Sequence, residues 1–104
     1  MDKKKLCAVV TGGARGIGAA IVERLAKDGF GRVALVDLDL AAASETAGKI
    51  DPEGTTVHPY ACNVGNAAQV SETFERIVRE CGPIAVLVNN AGITRDAMFH
   101  KMTE

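Results

Sequence analysis

Three glycines, Gly12, Gly16 and Gly18, stand close together in the run Thr11-Gly12-Gly13-Ala14-Arg15-Gly16-Ile17-Gly18. An apolar segment precedes them and a helical pattern follows. A phosphate is held by backbone N–H donors at close approach. Glycine removes the Cβ that would intervene and permits the tight turn. A helix starting at the same place adds unpaired N–H groups and a partial positive charge. The spacing is G-x-x-x-G-x-G, not G-x-G-x-x-G, because Ile21 stands where the third glycine of the latter would fall. Three glycines alone also suit a ligand-free β-turn-α corner. The strand–loop–helix context favours the phosphate cradle.

A carboxylate is the second element. Asp37 follows Gly18 by nineteen residues and closes a second apolar run. An acid at that place accepts hydrogen bonds from the adenosine ribose and repels a 2′-phosphate, which favours NAD over NADP. The plainer alternative is a polar residue that ends an apolar strand, or one that shares a helix cap with Asp39. Arg15 pulls the other way, since a guanidinium in the loop can reach a 2′-phosphate or simply stand in water. The expected ligand is therefore NAD or NADP, with NAD preferred on the strength of Asp37.

These groups need a scaffold, and the chain alternates strand and helix signals. Leu6 to Val10 reads as a buried strand. From Gly16 to Lys27, Ile17, Ile21 and Leu25 recur at helical spacing, with Gly29 as a stop. Val33 to Val36 is a second strand. Asp39 can cap a helix from Leu40 to about Ile50. Thr55 to Cys62 has strand character, and Pro59 suits an edge position. Asn66 and Gln69 have the spacing of a capping box. Behind them Val70, Phe74, Ile77, Val78 and Cys81 mark a helix that Gly82-Pro83 ends. Ile84 to Val88 is a fourth continuous apolar strand, closed by Asn89-Asn90-Ala91-Gly92. Asp96 can cap a further helix from Ala97. Strands apolar on both faces, joined by helices, predict an α/β doubly wound parallel sheet of Rossmann type, with strand order 3-2-1-4 by analogy. Residues 1–104 read as one domain.

The bulk composition narrows the classes. A 104-residue chain with a net charge of −1 offers no electrostatic case for nucleic acid or an anionic membrane surface. Aromatics are 4% of residues, too few for a surface of stacked rings. No apolar run approaches the ~20 residues of a membrane helix. Met1 to Lys5 reads as a soluble basic tail, and Leu6 to Val10 is too short for a signal-peptide core. Cys7, Cys62 and Cys81 are an odd count without C-x-x-C spacing, which points away from disulfides and zinc and towards a reducing cytoplasm. His58 and His100 are isolated, so no metal site is expected.

Three motifs in the right order resemble one family, the short-chain dehydrogenases/reductases. Thr11 to Gly18 matches its T-G-x-x-x-G-x-G loop. Cys62-Asn63-Val64 is similar to the segment after its third strand. Asn89-Asn90-Ala91-Gly92 matches its N-N-A-G motif. The resemblance covers essentially the whole chain. Leu87 to Asp96 looks most like the 3-oxoacyl reductases, and Met98 to Thr103 is similar to acetoacetyl-CoA reductases.

The resemblance implies roles residue by residue. Gly12, Arg15, Gly16, Ile17 and Gly18 would line the pyrophosphate and adjacent ribose. Asp37 would take the adenosine ribose. Asn63 and Val64 would hold adenine. Asn90, Ala91 and Gly92 would pass beneath the ribose nearer the nicotinamide, with Asn89 bracing the sheet.

The family's reaction uses a Tyr, a Lys four residues later and a Ser. The one tyrosine here, Tyr60, has Val64 four residues on. Ser44 and Ser71 sit in predicted helices without a partner Tyr. No catalytic residue is assigned, and the chain is read as the front half of such an enzyme. Three outcomes stay open: a cofactor-binding half that needs its complement, a dinucleotide-binding module without catalysis, or a self-associating remnant of a shortened gene. The fourth strand, with no successor, is expected to leave an open edge through which copies associate.

Overall fold

A computed structural model describes residues 2–91. Four strands, β1 (Cys7–Thr11), β2 (Arg32–Asp37), β3 (Val57–Ala61) and β4 (Ile84–Asn89), form one sheet. All pairings are parallel and the spatial order is β3-β2-β1-β4. Three helices connect them: α1 (Gly16–Lys27), α2 (Leu40–Ile50) and α3 (Ala67–Cys81). This is the doubly wound α/β arrangement, Rossmann-like, that the alternation predicts.

Successive side chains of a strand point to opposite faces, and both faces are covered. Val10, Val33, Leu35 and Val57 pack with Val22 of α1 and Ala43 and Ala47 of α2. Cys7, Val9, Ala34, Val36 and Tyr60 pack with Ile77 and Cys81 of α3. Two-sided burial explains why β1 and β2 read as continuous apolar runs. Leu35 and Ile77 are among the largest fully buried side chains. Each contributes about 1.5–3 kcal/mol relative to exposure.

β3 is an edge, as Pro59 suggests. Thr56 and Cys62 exchange backbone bonds with β2, through Val33 N–H to Thr56 O and Cys62 N–H to Asp37 O. Even-numbered positions therefore face β2, and Pro59, which has no N–H to donate, falls on the open side.

β4 is less covered than β1 and β2. Its residues alternate half-buried and exposed, and Leu87 is 55% exposed. Cys7 pairs with Ile84 but Ala8 pairs with Val86, so Ala85 is an extra residue on this strand. Among the described residues only β1 pairs with it.

Several boundaries move. Leu6 lies outside β1, and Thr11 and Asn89 lie inside their strands. Asn90 and Ala91 take helical backbone at once, earlier than the expected helix from Ala97. Asp96 and Ala97 lie outside the described residues. Lys3–Lys5 is a 3-10 turn docked on the sheet's end, not a free tail: Asp2 caps it at Lys4 N–H, and Gly31 N–H donates to Lys3 O at 3.0 Å. A Cβ at Gly31 would overlap the Lys4 carbonyl, so the glycine permits the docking. Among the described residues no helix is long and apolar enough to cross a membrane.

Candidate functional site

A cleft of about 630 Å³ opens at the carboxyl ends of the strands. Gly12, Arg15, Gly16, Ile17, Asp37, Asn63, Val64, Asn90 and Ala91 all line it. The fold thus brings together residues from four strand ends that the sequence singled out separately. Gly92 lies outside the described residues, and Gly18 is the one remaining exception.

The three motif glycines have different reasons to be glycine. Gly12 and Gly16 have φ of 66° and 56°, a region that side chains with a Cβ rarely occupy. A Cβ on Gly16 would meet nothing, so the backbone there is open to approach. Gly18 does not line the cleft. It is buried in the first turn of α1, where a Cβ would overlap the Gly12 carbonyl and approach the Asn90 amide. Its role is close packing of helix on loop.

The N-terminus of α1 differs from those of its neighbours. Asp39 caps α2 through Ala42 N–H, and Asn66 caps α3 through Gln69 N–H. Arg15, the cap residue of α1, makes no side-chain cap bond. The first N–H groups of α1 therefore end at the cleft, with the dipole favouring an anion. Ile17 also turns outward there and is 74% exposed. The helical spacing assigned it to the core, but Val22 is the residue of α1 that is fully buried.

Asp37 is held by two backbone donors. Ala14 N–H reaches Oδ2 at 3.2 Å and Asp39 N–H reaches Oδ1 at 3.1 Å. Asp39 alone caps α2, with Oδ1 accepting from Ala42 N–H at 3.1 Å. Its Oδ2 lies 3.1 Å from Arg15 Nη2. The Ala42 N–H first, and Arg15 next, hold the Asp39 carboxyl below the usual carboxylate range. Arg15 is thus paired with an acid at the lip while most of its side chain stays in water.

On the far wall, Asn63 sits in a tight turn of its own. Its Oδ1 accepts from Gly65 N–H at 2.9 Å, and its N–H donates to Gln69 Oε1 at 3.0 Å. The capping box is therefore half formed. Asn66 bonds Gln69 N–H as predicted, but the Gln69 side chain reaches Asn63.

The N-N-A-G segment is tied to the glycine loop. Thr11 Oγ1 donates to Asn89 Oδ1 at 3.0 Å and accepts from Ala91 N–H at 3.4 Å. Asn90 Nδ2 donates to the Gly12 carbonyl at 3.1 Å.

Leu38 also lines the cleft, 72% exposed, and sequence reasoning passed over it. The available signal was an apolar residue between two aspartates, just beyond a strand end. Val36 and Cys62 complete the lining. Tyr60 is elsewhere: it is buried against α3, with its hydroxyl donating to Glu80 Oε1 at 2.7 Å and lying 3.3 Å from Cys81 Sγ. His58 sits in β3 with its Nε2 3.3 Å from the Thr55 carbonyl. Among the described residues no group of three or more His, Cys, Asp or Glu could hold a metal ion.

A glycine loop, an uncapped helix start and an acid at the end of β2 converge on one cleft. The family pattern described as short chain dehydrogenase matches residues 6–104. The chain belongs to the short chain dehydrogenase family. Among relatives in this family, an acetoacetyl-CoA reductase of Paracoccus denitrificans is 46% identical over 92% of this chain and 38% of its own length. A 3-oxoacyl-[acyl-carrier-protein] reductase of Mus musculus is 39% identical over 91% of this chain and 38% of its own. The chain thus spans well under half the length of the curated relatives it matches.

Among solved structures, a metagenomic short-chain oxidoreductase in complex with NADP superposes with a TM-score of 0.77 at 31% identity. The match covers 86% of this chain and 40% of that one. An NAD+-bound xylitol dehydrogenase gives 0.73 at 31% identity, covering 83% and 32%. The two carry different dinucleotides on the same fold, so the likeness does not choose between them.

Proposed function

We propose that this chain is the cofactor-binding part of a reductase of 3-oxoacyl or acetoacetyl thioesters, and that it takes NAD in preference to NADP. One observation carries the reading: the uncapped start of α1 opens onto a cleft that the Asp37 carboxylate also lines. The names of the relatives support the thioester class.

The residues present fit a dinucleotide. The N–H groups of the first turn of α1 would hold the pyrophosphate, and Gly16 leaves room for its approach. Asp37, already aimed by Ala14 and Asp39, would accept from the adenosine ribose hydroxyls. Because Asn63 Oδ1 is engaged by Gly65, a base would meet the Asn63 amide and the Val64 backbone. Ala91, with Gly92 beyond it, would pass under the second ribose. Asn90 would act through the loop, by fixing the Gly12 carbonyl. When bound, the nicotinamide supplies or receives a hydride at the substrate carbonyl. Tyr60 takes no part, since its hydroxyl is committed to Glu80 on the α3 side of the sheet. Turnover would require a Tyr–Lys pair that this chain does not supply.

Calorimetric titration with NADH and NADPH tests the proposal. Saturable binding that prefers NADH and is lost in Asp37→Ala supports it. A folded chain that gives no heat with either removes it. Mixing with a complementary C-terminal piece is expected to restore reduction of acetoacetyl-CoA, which the chain alone does not catalyse.

A second reading, self-association at β4, is favoured by its end position in the sheet among the described residues and by the face that Leu87 leaves exposed. Monomeric mass in light scattering at dilute and high concentration would exclude it.

A further inference from the structure

We infer that Asp39 is a determinant of cofactor preference: it restrains Arg15, the only cation among the described residues that line the cleft, and so withholds the group that would recognise a 2′-phosphate. The inference rests on the dinucleotide reading above and adds to it a residue outside the cleft lining.

Asp39 has two oxygens with separate tasks. Oδ1 caps α2 at Ala42 N–H, which fixes the side chain's direction. Oδ2 is then left facing Arg15 Nη2 at 3.1 Å, across 24 residues of sequence. The Asp39 backbone N–H meanwhile orients Asp37. The turn Asp37-Leu38-Asp39 thus does two things at once. It presents one carboxylate to a ribose, and it uses the other to neutralise the nearest guanidinium. A 2′-phosphate entering here would meet Asp37 directly and would have to draw Arg15 away from Asp39. Lysine and arginine recognise phosphate best when nothing competes for their donors. Because Arg15 and Asp39 are 71% and 48% exposed, the restraint is modest. Exposed pairs of this kind correspond to factors of about five at most.

The test is calorimetric titration of NADH and NADPH into four forms of the chain: wild type, Asp39→Asn, Arg15→Ala and the double variant. Asparagine keeps an oxygen for the α2 cap and loses the charge. Circular dichroism establishes that each form is folded, and Asp39→Ser serves as a second cap-preserving variant. The expected result is a rise of about two- to fivefold in the NADPH-to-NADH affinity ratio in Asp39→Asn. That rise should disappear when Arg15 is also replaced. A rise that persists without Arg15 overturns the inference, since loss of repulsion alone would then explain it. An unchanged ratio, in a wild type that binds NADH, overturns it while leaving the cofactor reading intact. A wild type that binds neither dinucleotide removes both.

Discussion

The side-chain amide of Asn90 donates to the backbone carbonyl of Gly12 at 3.1 Å, joining two segments 78 residues apart. The bond locks the start of the glycine loop to the end of β4, and Asn90 is only 9% exposed. Asn90→Ala would leave the Gly12 carbonyl without this donor in a half-buried place. It is expected to cost about 1–2 kcal/mol of stability. Urea denaturation measures the loss, and an unchanged midpoint would show that water replaces the amide without penalty.

Gly16→Ala and Gly18→Ala are expected to fail in different ways. At Gly16 the new methyl has space but the backbone sits at φ 56°, so the strain is about 1–2 kcal/mol and the methyl stands where the cofactor would approach. At Gly18 the methyl overlaps the Gly12 carbonyl, and overpacking costs about 1–3 kcal/mol as helix and loop separate. Denaturation paired with NADH titration separates them. Gly16→Ala should lose more affinity than stability, and Gly18→Ala should lose both.

Asp51 sets an acid limit. Its Oδ2 accepts from Thr56 N–H at 2.6 Å and from Val57 N–H at 2.9 Å, closing the turn into β3. The Val57 bond first, and the Thr56 bond with it, hold the carboxyl below its ordinary value of 3.8, against a smaller opposing effect of burial. A depressed folded-state pKa gives stability that is present above the unfolded value and is lost as pH falls towards the folded one. Unfolding free energy should therefore decline below about pH 4, and less steeply in Asp51→Asn. Parallel acid limbs in the two proteins would refute this role.

Alkali acts on the opposite core. Burial, with Cys81 and Glu80 adding to it, pushes the Tyr60 phenol above its ordinary value of 10.0. Burial and the neighbouring Cys81 push the Cys7 thiol up to about 12 from 9.0. Raised folded-state values give stability that is complete below the unfolded values and is lost as pH rises through the folded ones. Stability should thus begin to fall above about pH 9. The tyrosinate absorbance should appear only with unfolding, a clear reading because Tyr60 is the one tyrosine. Early ionisation in the folded chain would contradict the burial argument.

Tyr60→Phe removes the hydroxyl bonded to Glu80 and leaves the ring in place. It should cost about 1 kcal/mol and leave the affinity for NADH unchanged, because the ring packs against α3 and does not line the cleft. Weakened NADH binding in this variant would tie the two sites together against expectation.

Much of this protein was legible in its residues alone. The alternation of two-sided apolar runs with helical periods specifies the parallel sheet, because side-chain spacing reports local conformation directly. Glycine spacing, Asp37 and the two asparagine-bearing segments mark the cleft, since each sits at a strand end where a parallel sheet collects its ligands. Tertiary structure decided what those residues touch. Ile17 has the periodicity of a core residue, yet it opens onto the cleft because the start of α1 overhangs the end of the sheet. Gln69 has the spacing to cap its own helix, yet it reaches Asn63. Arg15 reads as a loop charge until α2 brings Asp39 beside it. The Lys3–Lys5 turn reads as a tail until Gly31 admits it against the sheet. Local patterns follow from a residue and its near neighbours. Pairings across 24 or 78 residues follow only from the packing of finished elements, which no short stretch of sequence contains.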